Sequence, residues 1–224
     1  MNPQSNPCDE RTLIVCDRRS EAIEVCKFGN LGNWLNAGDA IVLAVEQDKL
    51  AGNATKEDAC KHWMVKTQLA PTLLQRLTSQ GVKVLHINLH SESQRPSMSK
   101  NHHHRVFRFD IPDETADVLN ETAALGHRIL AEGLPVLEIL QAATDELGFY
   151  RGGCGIVKPS HFSSRPRHYS AVDMLLTELY PPSSTDFLLG GSSFAGPVLV
   201  GRVHREAVSR GIYKHQASVP VLFI

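Results

Sequence analysis

The amino-acid sequence predicts an α/β fold, a single domain in which helices flank a mixed sheet. The first observation is alternation: from Pro71 onward, β-rich segments alternate with segments whose apolar residues have helical spacing. The second is an N-terminal pair of β-rich runs at residues 12–17 and 21–28, separated by Arg18-Arg19-Ser20. Such a pair predicts a hairpin, whose antiparallel strands would make the sheet mixed rather than purely parallel.

The remaining elements follow from periodicity and from the residues that begin and end helices. The apolar run AIVLAV predicts a buried strand at 40–45, whereas residues 46–70 and 148–170 are predicted to be irregular connections. Further strands are predicted at residues 82–90, at 105–111, in HRILAE and in the C-terminal SVPVLFI. Helices are predicted at residues 71–80, from a cap at Asp113 to about Leu125, from Pro135 to about Glu146, and at 197–210.

Composition and charge are those of an average globular chain, with 42% hydrophobic and 21% charged residues in 224. The formal net charge of −1 provides no overall attraction toward nucleic acid. Five scattered cysteines without a CxxC pair argue against a disulfide framework or a metal site and fit a reducing cytosol. No signal-peptide pattern and no run of roughly 18 apolar residues is present. We therefore expect a cytoplasmic protein without membrane attachment, with residues 1–11 as a flexible tail and 12–224 as the folded domain.

The segment from Ala171 to Gly196 contains the strongest candidate for a binding site. It is predicted to form a buried strand, a polar turn that begins at Pro181-Pro182, and a second apolar segment. Ser184 and Thr185 in that turn offer side-chain oxygens to the first amides of a new helix. Because α/β proteins bind ligands at the carboxyl ends of their strands, we expect this turn to lie in the site.

Four other features carry chemistry in some proteins and are structural in others. Adjacent histidines cannot all face one ion, so the triplet at 102–104 is predicted to be a solvated loop. His86 and His90 share one face of a strand and either line a pocket or are structural; His90 is better placed, at the strand's end. Asp173, expected inside a buried strand, is either a hydrogen-bond hub or a functional acid. The RGGCG run at 151–155 is either an anion-binding nest or a flexible turn.

Three common fingerprints do not occur in the sequence. No GxSxG is present, so α/β-hydrolase chemistry lacks its nucleophile in the expected setting. Neither GxGxxG nor GxxxxGK[ST] is present, which excludes the two common phosphate-binding loops.

The order of several segments resembles one family, the S-adenosylmethionine:tRNA ribosyltransferase-isomerases of queuosine biosynthesis, over most of the chain from about Thr12 to Ile224. The family's opening hairpin and strand are matched by LIVCDRRSEAIEVCKFGNLGNWLNAGDAIVL, and its helix with a strand ending in Leu-His is matched by APTLLQRLTSQGVKVLHINLH. The segment after its His-rich loop is similar to RFDIPDETADVLNETAALGHRILAEG, and its Val-Asp-x-Leu-Leu-Thr-Asn-Phe-His-Leu-Pro-x-Ser-Thr signature is similar to VDMLLTELYPPSST. Its Phe-Ala-Gly turn and following helix are matched by FAGPVLVGRVHREAVSRGIY. The resemblance implies a fold like the α/β part of that family.

The resemblance also implies a reaction. Members of the family transfer the ribosyl part of S-adenosylmethionine to a 7-aminomethyl-7-deazaguanine in tRNA and rearrange it to an epoxycyclopentanediol, with loss of adenine and methionine. A base is thought to remove a proton next to the sulfonium, whose positive charge acidifies the adjacent carbon. Such chemistry needs a positioned base and a site that excludes water. S-adenosylmethionine is therefore the expected co-substrate.

The residues that match the family's polar positions are those we expect in the site. We assign His90, Glu178 and Tyr180 to catalysis, with His90 as the candidate base. To substrate binding we assign Asp173, Thr177, Ser184, Thr185, Arg95 and His102, the last of which matches the family's His-x-Met-His to within a residue. No metal is expected.

Several positions depart from the family's pattern. Glu178-Leu179-Tyr180 stands where the family has Asn-Phe-His, and Ala44-Val45-Glu46-Gln47 where it has Asn-Asp-Thr-Arg. Residues 134–138 replace Thr-Thr-Ser-Val-Arg, which puts Glu138 in place of an arginine. We expect Glu138 and Glu178 to hold a cationic sulfonium or amine. The span 46–70 is too short for the family's inserted β-barrel domain.

Two functions remain open on this reading. The first is a divergent transferase or isomerase that uses S-adenosylmethionine, in tRNA modification or in a related small-molecule reaction. The second is a non-catalytic binding module or partner subunit, which would act with a protein partner or as a homo-oligomer. The missing barrel and the near-neutral charge make a small-molecule acceptor at least as plausible as tRNA.

Overall fold

The computed structural model describes residues 10–47, 63–91, 107–157, 169–179, 191–214 and 218–224. Within these ranges one mixed sheet contains ten strands, and its order is β2-β1-β10-β9-β7-β3-β5-β6-β8, with β4 paired to β3. The strands are β1 (Thr12–Cys16), β2 (Ile23–Lys27), β3 (Ala40–Gln47), β4 (Trp63–Lys66), β5 (Lys83–Ser91), β6 (Phe107–Ile111), β7 (Ile129–Glu132), β8 (Gly153–Val157), β9 (Met174–Leu179) and β10 (Val219–Phe223). The helices are α1 (Pro71–Ser79), α2 (Asp113–Ala124), α3 (Leu134–Ala143), α4 (Ser192–Ala195) and α5 (Pro197–Ser209).

Strand directions place several carboxyl ends at one edge of the sheet. Strand β3 is parallel to both β5 and β7, and β7 is parallel to β9. The predicted hairpin is confirmed, because β1 and β2 pair antiparallel along their whole length. The four parallel strands β9, β7, β3 and β5 therefore end together, where ligands bind in open α/β sheets.

Helices cover both faces of the sheet. Helices α2, α3 and α5 pack on one face, where Leu119, Leu140 and Val203 are fully buried. On the other face lie α1 and a 3-10 helix at Phe28–Trp34, which bury Leu73 and Phe28. Full burial of such side chains contributes about 1.5–3 kcal/mol each, so the three layers are held together mainly by apolar contact. The predicted α/β fold with a mixed sheet is confirmed.

The edge of β3 is shared by two short strands. Strand β7 pairs with residues 40–42 of β3, and β4 pairs antiparallel with residues 44–47 of the same strand. Strands β7 and β4 therefore lie one after the other along the same edge of β3. The chain that leaves β4 at Thr67 therefore passes over the end of β7, where Glu132 is the last residue. This arrangement brings together two segments that are far apart in sequence.

Two strands lie where irregular connections were predicted. Strand β4 lies inside 46–70 and β8 inside 148–170. Strand β8 is an edge strand with exposed side chains, so it lacks the apolar alternation by which strands are predicted. Its Gly155 packs under the ring of Phe109, where any Cβ would overlap the ring. The RGGCG run is therefore the start of a strand, and neither a flexible turn nor a nest.

Two predicted helix ends were also wrong. Pro112, and not Asp113, occupies the cap position of α2. Asp113 is the first helical residue, where a carboxylate interacts favourably with the helix dipole. Helix α3 ends at Ala143, because Asp145 organises a turn of its own. Its Oδ1 accepts hydrogen bonds from the backbone N–H groups of Leu147 and Phe149, both over 2.9 Å. That turn leaves no helical path to Glu146.

Candidate functional site

Two of the three residues assigned to catalysis lie on one face at the carboxyl edge. Glu178 follows Leu176 on the α1 face of β9, and His90 follows the alternation of Val84 onto the same face of β5. Three strand spacings, roughly 14 Å, separate β9 from β5. The two residues therefore border one surface without touching each other.

Thr177 and Asp173 lie elsewhere. Thr177 is buried on the opposite face of β9, in register with Val221 of β10. Asp173 precedes the strand and is exposed, so its expected burial inside the strand was wrong. Glu178 is five positions further along the chain, so the two are roughly 16 Å apart along β9.

Asp173 takes part in three hydrogen bonds, two with the first residue of the neighbouring β7 and one with Arg18 in the turn between β1 and β2. Its Oδ2 accepts the backbone N–H of Ile129 over 2.9 Å, and its own backbone N–H donates to the Ile129 carbonyl over 3.0 Å. Its carbonyl accepts a hydrogen bond from Arg18 Nη2 over 2.9 Å. Asp173 is thus a hydrogen-bond hub where β7 and β9 begin.

Five assigned residues lie outside the described residues, and their placement stays a prediction. They are Tyr180, Ser184, Thr185, Arg95 and His102. The histidine triplet and the turn after Pro181 lie in the same undescribed ranges.

A buried carboxylate that sequence reasoning missed lies next to Glu178. Glu132 ends β7 on the α1 face and is only 7% exposed. Its Oε1 accepts the backbone N–H of Gln68 over 2.7 Å. Burial raises the pKa of Glu132 to about 7, against the opposing hydrogen bonds from Thr67 and Gln68. A carboxyl group with a pKa near neutrality is suited to exchange a proton at physiological pH.

Two charged groups act on Glu132 from neighbouring elements. The guanidinium of Arg11 lowers its pKa, and the carboxylate of Glu178 raises it. Arg11 is held by a 2.8 Å hydrogen bond from Nη2 to the Gln68 carbonyl and lies 4.6 Å from the centroid of the Phe28 ring. Glu132, Gln68, Glu178 and Arg11 therefore form one electrostatic unit at the carboxyl edge, which we call the Glu132 cluster.

The sequence carried only a weak signal for this cluster. Glu132 is the last residue of the predicted strand HRILAE and precedes Gly133, the position where carboxyl-edge ligands bind. Gln68 lay in a span predicted to be a connection, and nothing local pairs it with a residue 64 positions away. Only the pairing of β4 with β3 brings the two together.

The other carboxylate expected to hold a cation lies apart from Glu178. Glu138 is buried in α3, and its Oε1 accepts the hydroxyl of Tyr169 over 2.9 Å. Helix α3 packs on the sheet face opposite to that of Glu178. The structure therefore does not bring Glu138 and Glu178 together.

A hydrogen-bonded group supports the end of β9 from the other side. The hydroxyl of Tyr213 donates to the Leu179 carbonyl over 3.3 Å and lies 3.0 Å from Nδ1 of His204. Burial raises the pKa of Tyr213 above its ordinary value. These contacts position the last residue of β9, just before the undescribed turn.

In the part of the chain that the structure describes, no group of three or more His, Cys, Asp or Glu side chains is placed to hold a metal ion. Among the described helices, none is long and apolar enough to cross a membrane.

Fold and site together define an α/β protein with polar side chains gathered at the carboxyl edge of its parallel strands. The family described as "Queuosine biosynthesis protein" matches residues 54–216 of the chain. The chain belongs to this family, as the resemblance predicted.

Individual relatives agree with this assignment. An S-adenosylmethionine:tRNA ribosyltransferase-isomerase from Chlorobium luteolum is 32% identical over 149 residues, which are 63% of this chain and 43% of the relative. One from Trichlorobacter lovleyi is 29% identical over 143 residues, 62% of this chain and 41% of the relative. The matched part therefore spans about two fifths of the length of each of these relatives.

A solved structure shares the fold over the whole chain. The crystal structure of an S-adenosylmethionine tRNA ribosyltransferase from Thermotoga maritima superposes with a TM-score of 0.72. The superposition covers 100% of this chain and 96% of that chain, at 21% identity. This likeness confirms the α/β architecture.

Proposed function

We propose that this protein uses S-adenosylmethionine as a co-substrate in a ribosyl-transfer or isomerisation reaction of the kind named for its relatives. The observation that carries the proposal is that His90 and Glu178, at family motif positions, lie on one face at the carboxyl edge of a family fold. The Glu132 cluster adds a carboxyl group of near-neutral pKa to that edge. His90 acts as the base, and Glu178, Tyr180, Ser184 and Thr185 shape the pocket.

Calorimetric titration with S-adenosylmethionine is the first test. We expect saturable binding, and release of adenine and methionine once a suitable acceptor is added. Absence of binding would exclude a role for S-adenosylmethionine. Turnover without adenine release would point to a different transfer reaction.

The role of His90 is tested by His90→Ala with His86→Ala as the matched control. Both histidines lie on the same strand and, by alternation, on the same face, but only His90 stands at the strand's end. General bases contribute about 10²–10⁴-fold to rates, so we expect His90→Ala to lose that much turnover while still binding S-adenosylmethionine. Equal losses in the two variants would assign the base elsewhere.

The acceptor is tested separately from the co-substrate. The relatives' names specify tRNA, and a net charge of −1 favours a small molecule at least as much. A filter-binding assay with tRNA at low salt decides, because phosphate contacts would make the affinity fall steeply with salt. Salt-independent, weak retention would favour a small-molecule acceptor.

A second candidate function is a non-catalytic binding module or partner subunit of the same family. The observation that favours it is the engagement of Glu138 by Tyr169, since the residue that replaces the family's arginine is tied into the helix layer. This candidate predicts no turnover with any acceptor and co-purification with another chain or a homo-oligomer. We further propose that residues 12–224 act as one domain in the cytoplasm without the inserted barrel.

A further inference from the structure

Two buried oxygens in the Glu132 cluster lack a hydrogen bond. Oε2 of Glu132 and Oε1 of Gln68 each find no partner within hydrogen-bonding geometry in the described residues. The two residues are joined directly, because the Gln68 N–H donates to the other carboxylate oxygen over 2.7 Å. A buried acceptor without a donor is destabilising, because it has lost its hydrogen bonds to water and has formed none within the protein. When Glu132 is ionised, both oxygens are acceptors without a donor among the described residues, and an N–H or O–H donor of a ligand would satisfy them.

The charge around these oxygens indicates which kind of donor fits. Glu178 on β9 and Arg11 before β1 are the charged groups that act on Glu132. Among the described residues, one guanidinium and one further carboxylate act on Glu132, and the carboxylate opposes the guanidinium. Arg11 Nη2 is directed to the Gln68 carbonyl. A buried negative charge favours a cationic ligand and disfavours an anion.

We propose that Glu132 and Gln68 form a binding site for a small organic cation that carries N–H donors, such as an alkylguanidinium or a primary ammonium. The cation donates to Oε2 of Glu132 and to Oε1 of Gln68, and Glu178 adds long-range attraction. Gln68 and Glu178 are partly buried, which places the cluster next to the surface at the carboxyl edge, and a ligand that enters there displaces the side chains that cover the two oxygens. The proposal goes beyond ribosyl transfer, since the site binds such a cation whether or not S-adenosylmethionine is a substrate.

Binding and ionisation of Glu132 are linked. A cation that binds only the ionised carboxylate lowers its apparent pKa, and the shift is about one unit when the free cation is about tenfold above its Kd. The apparent pKa of Glu132 is therefore expected to fall from about 7 to about 6 on binding.

The test is a pH titration of the glutamate carboxyl carbons by NMR, with and without methylguanidinium chloride. Tetramethylammonium chloride at the same ionic strength is the control ligand, because it carries the charge without an N–H donor. Glu132→Gln identifies the resonance by its disappearance. If that variant does not fold, Glu132 is still recognised in the native protein by its near-neutral midpoint.

The proposal expects a shift with methylguanidinium and little or none with tetramethylammonium. Gln68→Leu should reduce the shift, whereas Glu114→Gln, an exposed carboxylate in the first turn of α2, should leave it unchanged. Equal shifts with both cations, or none with either, would overturn the proposal. A shift with magnesium chloride as large as that with methylguanidinium would also overturn it and indicate a metal site. Because no S-adenosylmethionine is added, the result is separate from that of the calorimetric test.

Discussion

Asp39 and Arg128 are joined twice at the amino ends of β3 and β7. Oδ1 of Asp39 accepts the backbone N–H of Arg128 over 2.9 Å, and Oδ2 accepts the guanidinium over 2.8 Å. Oδ2 also accepts the backbone N–H of Asn36 over 2.9 Å, and Asp39 is only 1% exposed. This carboxylate therefore closes the turn before β3 and fixes where β7 begins.

Asp39→Ala is expected to be strongly destabilising. Asp39 is buried but the Arg128 side chain is 35% exposed, so the cost comes mainly from the two backbone N–H groups that lose their acceptor, about 2–4 kcal/mol in all. Urea denaturation followed by circular dichroism measures the effect as a fall in the midpoint. The matched control is Glu206→Ala, which removes the partly exposed helical partner of Arg210 and should cost about 0.3–0.5 kcal/mol. Similar midpoints for the two variants would contradict the assignment of Asp39 as a hub.

The raised pKa of Glu132 predicts how stability changes with pH. The folded-state pKa is about 7, above the ordinary value of 4.5, so the native state holds a proton that the unfolded chain releases between these values. Stability from this group is therefore full below about pH 4.5 and is lost as pH rises to about 7, by roughly 3 kcal/mol.

Glu132→Gln should remove that dependence. Denaturation midpoints of the native protein and the variant, measured across the same pH range, should converge at low pH and separate toward neutral pH, with the variant more stable. Parallel curves would show that Glu132 is not the titrating group. Glu114→Gln serves again as the control for a general change in charge.

Gly191→Ala is expected to combine two costs. Its φ of 80° lies in the left-handed region, and a Cβ would contact the ring of the fully buried Phe223. The backbone contributes about 1–2 kcal/mol, and the displaced ring adds about 1–3 kcal/mol. Chemical denaturation measures the total.

Gly126→Ala separates the two costs. Gly126 has a similar φ of 73°, but nothing lies within 4 Å of its Cβ position. It should therefore lose only the backbone part, about 1–2 kcal/mol. If Gly191→Ala lowers the free energy of unfolding no more than Gly126→Ala does, the close approach to Phe223 does not contribute to the destabilisation.

The thiol of Cys154 should react faster when its neighbour is neutralised. Its Sγ lies 3.3 Å from Oδ1 of Asp110, and that hydrogen bond and negative charge raise the thiol's pKa. Asp110→Asn should lower the pKa of the thiol, increase the thiolate fraction and so speed alkylation near neutral pH.

Alkylation by iodoacetamide, followed peptide by peptide by mass spectrometry, measures the Cys154 rate. Asp117→Asn removes an exposed carboxylate of α2 and should have no effect. Cys16 is buried with a pKa raised to about 11 and should remain unmodified in the folded protein. An unchanged rate in Asp110→Asn would show that the carboxylate does not control this thiol.

The sequence by itself determined the elements whose residues are locally consistent. Residues 40–45 of strand β3 are an unbroken apolar run, α1 begins at a proline, and α5 combines a proline start with Gly211 after its end. The alternation of such elements was enough to predict the α/β class, and the order of the motifs was enough to predict the family. These features depend on neighbours in the chain, which a sequence displays directly.

Tertiary structure alone decided which polar groups meet. Glu178 and Thr177 are adjacent in sequence, yet alternation along β9 sends them to opposite faces, and the start of that strand puts Asp173 at the other edge. Glu132 meets Gln68 because β7 is short and β4 pairs with the rest of the same edge of β3. Strand pairing acts across long sequence separations, and the burial that raises the pKa of Glu132 exists only once those strands have paired.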